Sequence, residues 1–139
     1  MRTAIAILLV ATAFVGPVQS RVQAPMPLTA GTYGNLVGYD DIEGVELHIS
    51  GSRGTYRAEV MYAEGGCGDV FRAGLKPDGR RWLFDLAADQ RKEGYGPIRF
   101  WIMTDGGNIR IFGSSQTAWI ANSSKGDLLR KLHKTVCLH

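Results

Sequence analysis

From residue 31 onward, apolar and polar side chains mostly alternate with a period of two. Residues 45–49 and 56–62 show this alternation on both sides of a glycine-bounded turn at 51–54. Alternation places the apolar side chains on one face of a pleated strand, so the two segments are predicted to pair as a hairpin. Further strands are predicted near residues 69–75, 81–87, 97–104, 109–112 and 117–121.

The number and spacing of these segments predict the architecture. Seven or eight short strands, about 8–12 residues apart with glycine at most joints, are typical of an antiparallel sandwich or barrel. Consecutive hairpins and the absence of exposed edges favour the barrel. A helix is predicted at residues 127–136, because Leu128, Leu129, Leu132 and Val136 share one helical face. The predicted fold is all-β: a small antiparallel up-and-down β-barrel of about eight strands with a short C-terminal helix.

The first twenty residues have the pattern of a signal peptide. Arg2 gives a positive start, and residues 4–15 form an apolar run that is shorter than the roughly 20 residues needed to span a bilayer. We therefore expect cleavage after Ser20, an extended leader at 21–30 and a barrel domain at 31–139. The mature protein is expected to be periplasmic or secreted, without a membrane anchor.

The charge balance argues against a nucleic-acid partner. The chain has 16 basic and 13 acidic residues, and the predicted signal peptide contains one of these charges, Arg2. The mature domain is therefore nearly neutral. A dedicated nucleic-acid binder would show clustered Lys and Arg on one face.

Two cysteines, Cys67 and Cys137, are present in the 139-residue chain. An export signal places them in an oxidising compartment, where disulfides persist. The chain lacks a Cys-x-x-Cys motif, and no histidine is near Cys67 in sequence. We predict a structural disulfide that ties the end of the chain to the middle of the sheet.

Catalytic and metal-binding patterns do not emerge from the sequence. His48, His133 and His139 lack ligand spacing, and nucleophile-elbow and phosphate-loop motifs are missing. Glu46 and Glu59 lie on neighbouring strands, but both are at polar positions expected to face water. The sequence predicts a protein that is not an enzyme and has no cofactor.

The aromatic residues are more informative. Most are expected in the core, but Trp101 lies on the strand face opposite Ile98, Phe100 and Ile102, next to Arg99. Exposed Trp beside Arg is typical of a protein-binding hot spot. The first hypothesis is an exported non-enzymatic module that engages an unidentified protein. In one form of this hypothesis, the module inhibits a secreted or host enzyme. Its candidate contacts are Arg53, Tyr56, Arg99 and Trp101.

A second hypothesis is a carrier of a small apolar ligand in the barrel mouth. It predicts an apolar cavity lined by Tyr33, Tyr56, Trp82 and Phe100. An eight-stranded barrel can instead be filled by its own side chains. The two hypotheses differ in the role of Trp101, which would be needed for a protein partner and not for a ligand.

Two family resemblances accompany these hypotheses. Gly31-Thr-Tyr33 at the head of the first strand and Leu129-Arg130 near the end resemble the frame of lipocalin-type (calycin) barrels, with Tyr33 where that family has Trp. This resemblance implies a ligand-carrying barrel. In architecture the chain is also similar to periplasmic lysozyme inhibitors, which implies a protein-binding role.

Overall fold

The computed structural model describes residues 15–16, 21, 23–86 and 96–138. In these residues the chain forms eight antiparallel strands in sequence order, and the last strand pairs with the first to close a barrel. No helix among them is long and apolar enough to cross a membrane. Most of the predicted signal peptide lies outside the described residues. The strands are β1 (Gly31–Gly34), β2 (Glu43–Ser52), β3 (Thr55–Glu64), β4 (Val70–Asp78), β5 (Arg81–Leu86), β6 (Ile98–Asp105), β7 (Asn108–Gly113) and β8 (Asp127–Leu132).

Alternate side chains of the strands fill the barrel interior. The predicted hairpin of β2 and β3 forms, and Leu47 and Ile49 are fully buried. Phe84 and Phe100 stack inside the barrel with ring centroids 4.6 Å apart. Inward residues of all eight strands belong to one continuous core, as expected for an eight-stranded barrel whose interior is packed with side chains.

The turn between β2 and β3 is a tight two-residue turn. Ser52 pairs with Thr55, and the two central residues, Arg53 and Gly54, have φ angles of 52° and 81°. Positive φ at both positions characterises a type I′ turn, which matches the twist of the two strands. Arg53 is the one non-glycine residue with positive φ in the described part of the chain. A residue with a side chain adopts this conformation at a cost of roughly 1–2 kcal/mol, whereas glycine adopts it without that cost.

The predicted C-terminal helix is wrong, because residues 127–132 form β8. This strand pairs with β7 on one side and with β1 on the other, so the sheet supplies its backbone hydrogen bonds. Leu129 points inward and is fully buried, whereas Leu128 and Leu132 stay partly exposed. The strand predicted at 117–121 is also wrong, since these residues form turns in the loop between β7 and β8.

The predicted disulfide between Cys67 and Cys137 is confirmed, with 5.5 Å between the two Cα atoms. After β8 the chain returns along the outside of the barrel. There Cys137 and Leu138 pack with Met61 and Ala63 in a second, smaller apolar cluster. The disulfide therefore fastens the C-terminal tail over the outer face of β3.

The prediction that Glu46 faces water is wrong, because its carboxylate is fully buried. The backbone N–H of Val136 donates to Oε1 at 2.9 Å and to Oε2 at 3.2 Å, and the N–H of Cys137 donates to Oε2 at 2.7 Å. The C-terminal tail covers this outward position of β2. Glu46 and the disulfide together hold the tail in place.

We expect Glu46→Gln to lower the free energy of unfolding by about 1–3 kcal/mol. The amide is neutral, and its NH₂ group cannot accept the backbone N–H groups that the carboxylate accepts. Urea unfolding of the oxidised protein measures the loss.

Glu59→Gln is the matched control. Glu59 pairs with Arg72 at 2.7 Å on the outside of the barrel, where the side chains are 35% and 56% exposed. Exposed ion pairs contribute less than about 1 kcal/mol. Equal losses in the two variants would contradict the role assigned to Glu46.

Candidate functional site

The leader crosses the end of the barrel at which β1 begins. Trp82 of β5 donates its indole N–H to the carbonyl oxygen of Met26 at 2.8 Å. Thr104 of β6 donates its hydroxyl to the carbonyl oxygen of Pro27 at 2.9 Å. Two strands therefore bind consecutive carbonyl groups of the leader.

Two tyrosines bind the next part of the leader. The backbone N–H of Leu28 donates to the hydroxyl oxygen of Tyr56 at 3.2 Å, and the hydroxyl of Tyr33 donates to the carbonyl oxygen of Thr29 at 2.8 Å. The Leu28 side chain is buried in the main core. Residues 26–29 are thus an ordered part of the barrel end, although they form no helix or strand.

An apolar groove of about 450 Å³ lies between the leader and the neighbouring turns. Tyr56 and Trp82 form its aromatic wall, with an edge-to-face contact of 4.9 Å between ring centroids. Arg53 is at its rim, next to Gly54 of the type I′ turn. We call this site the leader groove, and its lining residues are Ala24, Pro25, Pro27, Arg53, Gly54, Tyr56, Pro77 and Trp82.

A second candidate site lies on the outer face of β5, β6 and β7. Trp101 is partly exposed and lies in register between Leu83 of β5 and Phe112 of β7. Its indole N–H donates to the Asp78 carboxylate at 2.7 Å. The Arg81 guanidinium lies 4.0 Å from the centre of the Phe112 ring. We call this surface the Trp101 face.

Ion pairs surround the apolar centre of the Trp101 face. Asp85 accepts two hydrogen bonds from Arg99, at 3.2 and 3.3 Å, and lies 4.0 Å from Lys76. Asp105 pairs with Arg110 at 2.7 Å. The face therefore combines aromatic and aliphatic surface with guanidinium groups that acidic neighbours hold in position.

The four residues predicted to bind a protein fall into two pairs. Arg53 and Tyr56 belong to the leader groove, whereas Arg99 and Trp101 belong to the Trp101 face. Pro77 lines the groove and the next residue, Asp78, holds Trp101, so the two sites adjoin at the turn between β4 and β5. The sequence did not predict that these four residues belong to two separate sites, because alternation along a strand does not show which turns lie side by side.

The residues predicted to line a ligand cavity are also divided. Tyr56 and Trp82 border the leader groove, whereas Tyr33 and Phe100 are 1% and 0% exposed and are packed in the main core. The leader contributes Pro25 and Pro27 to the groove. Sequence reasoning described the leader as extended but missed its part in this site.

A third candidate site, a cavity of about 330 Å³, lies at the opposite end of the barrel. Tyr62 and Trp119 meet edge to face there with ring centroids 5.3 Å apart. Glu64, Asp69 and Phe71 also line this cavity. Sequence reasoning missed it, because Trp119 reaches the cavity from a loop that was predicted to be a strand.

Among the described residues, no group of three or more His, Cys, Asp or Glu side chains could hold a metal ion. His48 lies on the outer side of β2, with Nδ1 3.0 Å from the Thr32 hydroxyl oxygen.

No family model, curated protein or solved structure matches the chain. The closed eight-stranded antiparallel barrel is consistent with a calycin-like architecture. No match to a lipocalin confirms the resemblance to that family.

Burial raises the pKa of the Tyr33 phenol above its ordinary value of 10.0. Because the neutral phenol is favoured in the folded state, the corresponding stability is fully present below pH 10 and is lost as the pH rises through the folded-state pKa. We expect Tyr33→Phe to lose less stability than the parent protein as the pH rises above 10.0, the ordinary pKa of the phenol. Urea unfolding at several pH values measures the difference.

Tyr39→Phe is the matched control for loss of a phenol hydroxyl, because Tyr39 is 96% exposed. We expect its urea unfolding to match that of the parent protein. Parallel slopes for Tyr33→Phe and the parent would contradict the assignment to Tyr33.

Proposed function

We propose that this protein is an exported, non-enzymatic binding module that engages a protein partner through the Trp101 face. The observation that carries the proposal is the position of Trp101, partly exposed between Leu83 and Phe112, with Arg99 two residues away on the same face of β6 and Arg81 over the Phe112 ring. Trp and Arg are enriched among the residues that dominate protein–protein binding energy.

The arrangement of the face supports this role. The hydrogen bond to Asp78 holds the Trp101 ring in one orientation, and Asp85 holds Arg99. Side chains ordered before binding lose less conformational entropy when a partner docks. The antiparallel strands beneath them form a closed sheet, which gives these side chains a rigid base.

Export is part of the same proposal. The Cys67–Cys137 disulfide is compatible with an oxidising compartment such as the periplasm or the extracellular space. A barrel that presents a fixed aromatic and guanidinium surface fits a partner with apolar and acidic groups. Inhibition of a secreted or host enzyme is the form of this function that we favour.

The alternative is a carrier of a small apolar ligand, and the leader groove is the observation that favours it. A volume of about 450 Å³ falls in the range of small-molecule sites, about 300–1,000 Å³. The packed positions of Tyr33 and Phe100 favour a site at the barrel end over one in the interior.

We expect Trp101→Ala to weaken binding of the partner by about 30-fold or more, the effect of losing a hot-spot residue worth about 2 kcal/mol. The measurement is a pull-down from native periplasm and from host secretions with the oxidised protein. Mass spectrometry identifies bound proteins and extracted lipids.

Trp119→Ala is the matched control, because Trp119 is 38% exposed at the opposite end of the barrel. The parent and this control should retain a stoichiometric protein that Trp101→Ala loses. Recovery of an apolar ligand without a protein partner would contradict the proposal and support the carrier. Retention of the partner by Trp101→Ala would exclude the Trp101 face.

A further inference from the structure

The walls of the leader groove leave few polar groups for a ligand. The indole N–H of Trp82 and the hydroxyl of Tyr56 are directed at the leader backbone, to Met26 and Leu28. Proline has no backbone N–H, and three prolines line the groove. These walls therefore add few hydrogen-bond donors, so an occupant must contact them mainly through apolar surface and keep its backbone carbonyl groups toward solvent.

Arg53 supplies the charge of the groove. It is the one charged residue among the described lining residues. No hydrogen bond or ion pair joins Arg53 to another described residue, whereas Arg72 and Arg99 have carboxylate partners. A free guanidinium at an apolar rim is complementary to a carboxylate, which it can bind through two hydrogen bonds.

The backbone of Arg53 adds a second observation. Its φ of 52° lies in the left-handed region, at a turn position where the following residue is glycine. Glycine would satisfy this turn without strain, so the turn itself does not require an arginine. Strained residues of this kind cluster at binding sites, where the surrounding structure holds them.

The leader shows what the aromatic wall already binds. Trp82 donates to a carbonyl in the Pro25-Met26-Pro27 segment, which has no helix or strand. Aromatic-lined grooves recognise proline-containing extended segments because such segments are stiff before binding and lose little conformational entropy when they dock. The open part of the groove presents the same aromatic pair together with Pro77.

We propose that the leader groove is a docking site for an extended, proline-containing segment of the partner protein with an acidic residue beside its prolines. The prolines lie against Tyr56 and Trp82, and the carboxylate pairs with the Arg53 guanidinium. This inference rests on the proposed function, because it assumes a protein partner, and it identifies the partner segment that docks beside the Trp101 face. The adjacent residues Pro77 and Asp78 connect the two sites.

The three tryptophans of the chain make a site-resolved test possible. Their indole N–H signals in a ¹⁵N-labelled sample report on the leader groove (Trp82), the Trp101 face (Trp101) and the opposite end (Trp119). The probe is the synthetic peptide acetyl-Glu-Pro-Pro-Leu-Pro-amide, added to the oxidised full chain to about 1 mM. We expect a saturable shift of the Trp82 signal, while the Trp101 and Trp119 signals stay in place.

Arg53→Gly tests the guanidinium without disturbing the turn, because glycine accepts the positive φ. We expect its urea midpoint to equal or exceed that of the parent, and its affinity for the peptide to fall about tenfold. Arg57→Gln is the matched control, since Arg57 is exposed on the outer face of β3 and does not line the groove. Its affinity should stay within about twofold of the parent.

Two further peptides test the chemistry of the ligand. Replacing Glu by Lys should weaken binding about tenfold, and replacing the prolines by alanine should weaken it by a similar factor. A Trp82 signal that does not move, equal affinity in Arg53→Gly and the parent, or a preference for the lysine peptide would each overturn the inference. If the peptide binds as expected while Trp101→Ala retains its partner, the role proposed for the Trp101 face is contradicted and the role proposed for the leader groove is supported.

Discussion

Pairing of β8 with β1 is the interaction on which the rest of the structure depends. It joins strands that are about a hundred residues apart and leaves no strand of the described barrel with an unpaired edge. Closure forces alternate side chains inward, where they form one packed core. Specific chemistry is therefore confined to the outer face and to the two ends of the barrel. The Trp101 face and the leader groove are both outside the packed interior.

The same closure explains the C-terminal tail. Once β8 has filled the gap between β7 and β1, the remaining residues have no place in the sheet and must pack outside it. Glu46 then binds the tail backbone, and the disulfide between Cys67 and Cys137 fixes the position. Burial of a carboxylate is costly without partners, so three hydrogen bonds from the tail make this outward position of β2 tolerable.

Short-range sequence patterns predicted several features of the fold correctly. The hairpin of β2 and β3, the barrel class and the disulfide were all predicted from alternation, glycine turns and the expected export signal. β8 did not, because Leu128, Leu129 and Leu132 fit a helical face as well as a strand until both neighbouring strands are known. Glu46 looked solvent-exposed for a similar reason: the tail that buries it is 90 residues away in sequence.

The candidate sites show the same limit on sequence reasoning. The sequence predicted aromatic and basic site residues, but the way these residues group depends on which turns meet at one end of the barrel. Asp78 is attached to the groove through Pro77 and to the Trp101 face through its hydrogen bond to the indole. A partner that engages both sites would therefore span the turn between β4 and β5. Only an extended surface can reach the groove and the outer face together, and this is the arrangement that the proposed protein partner requires.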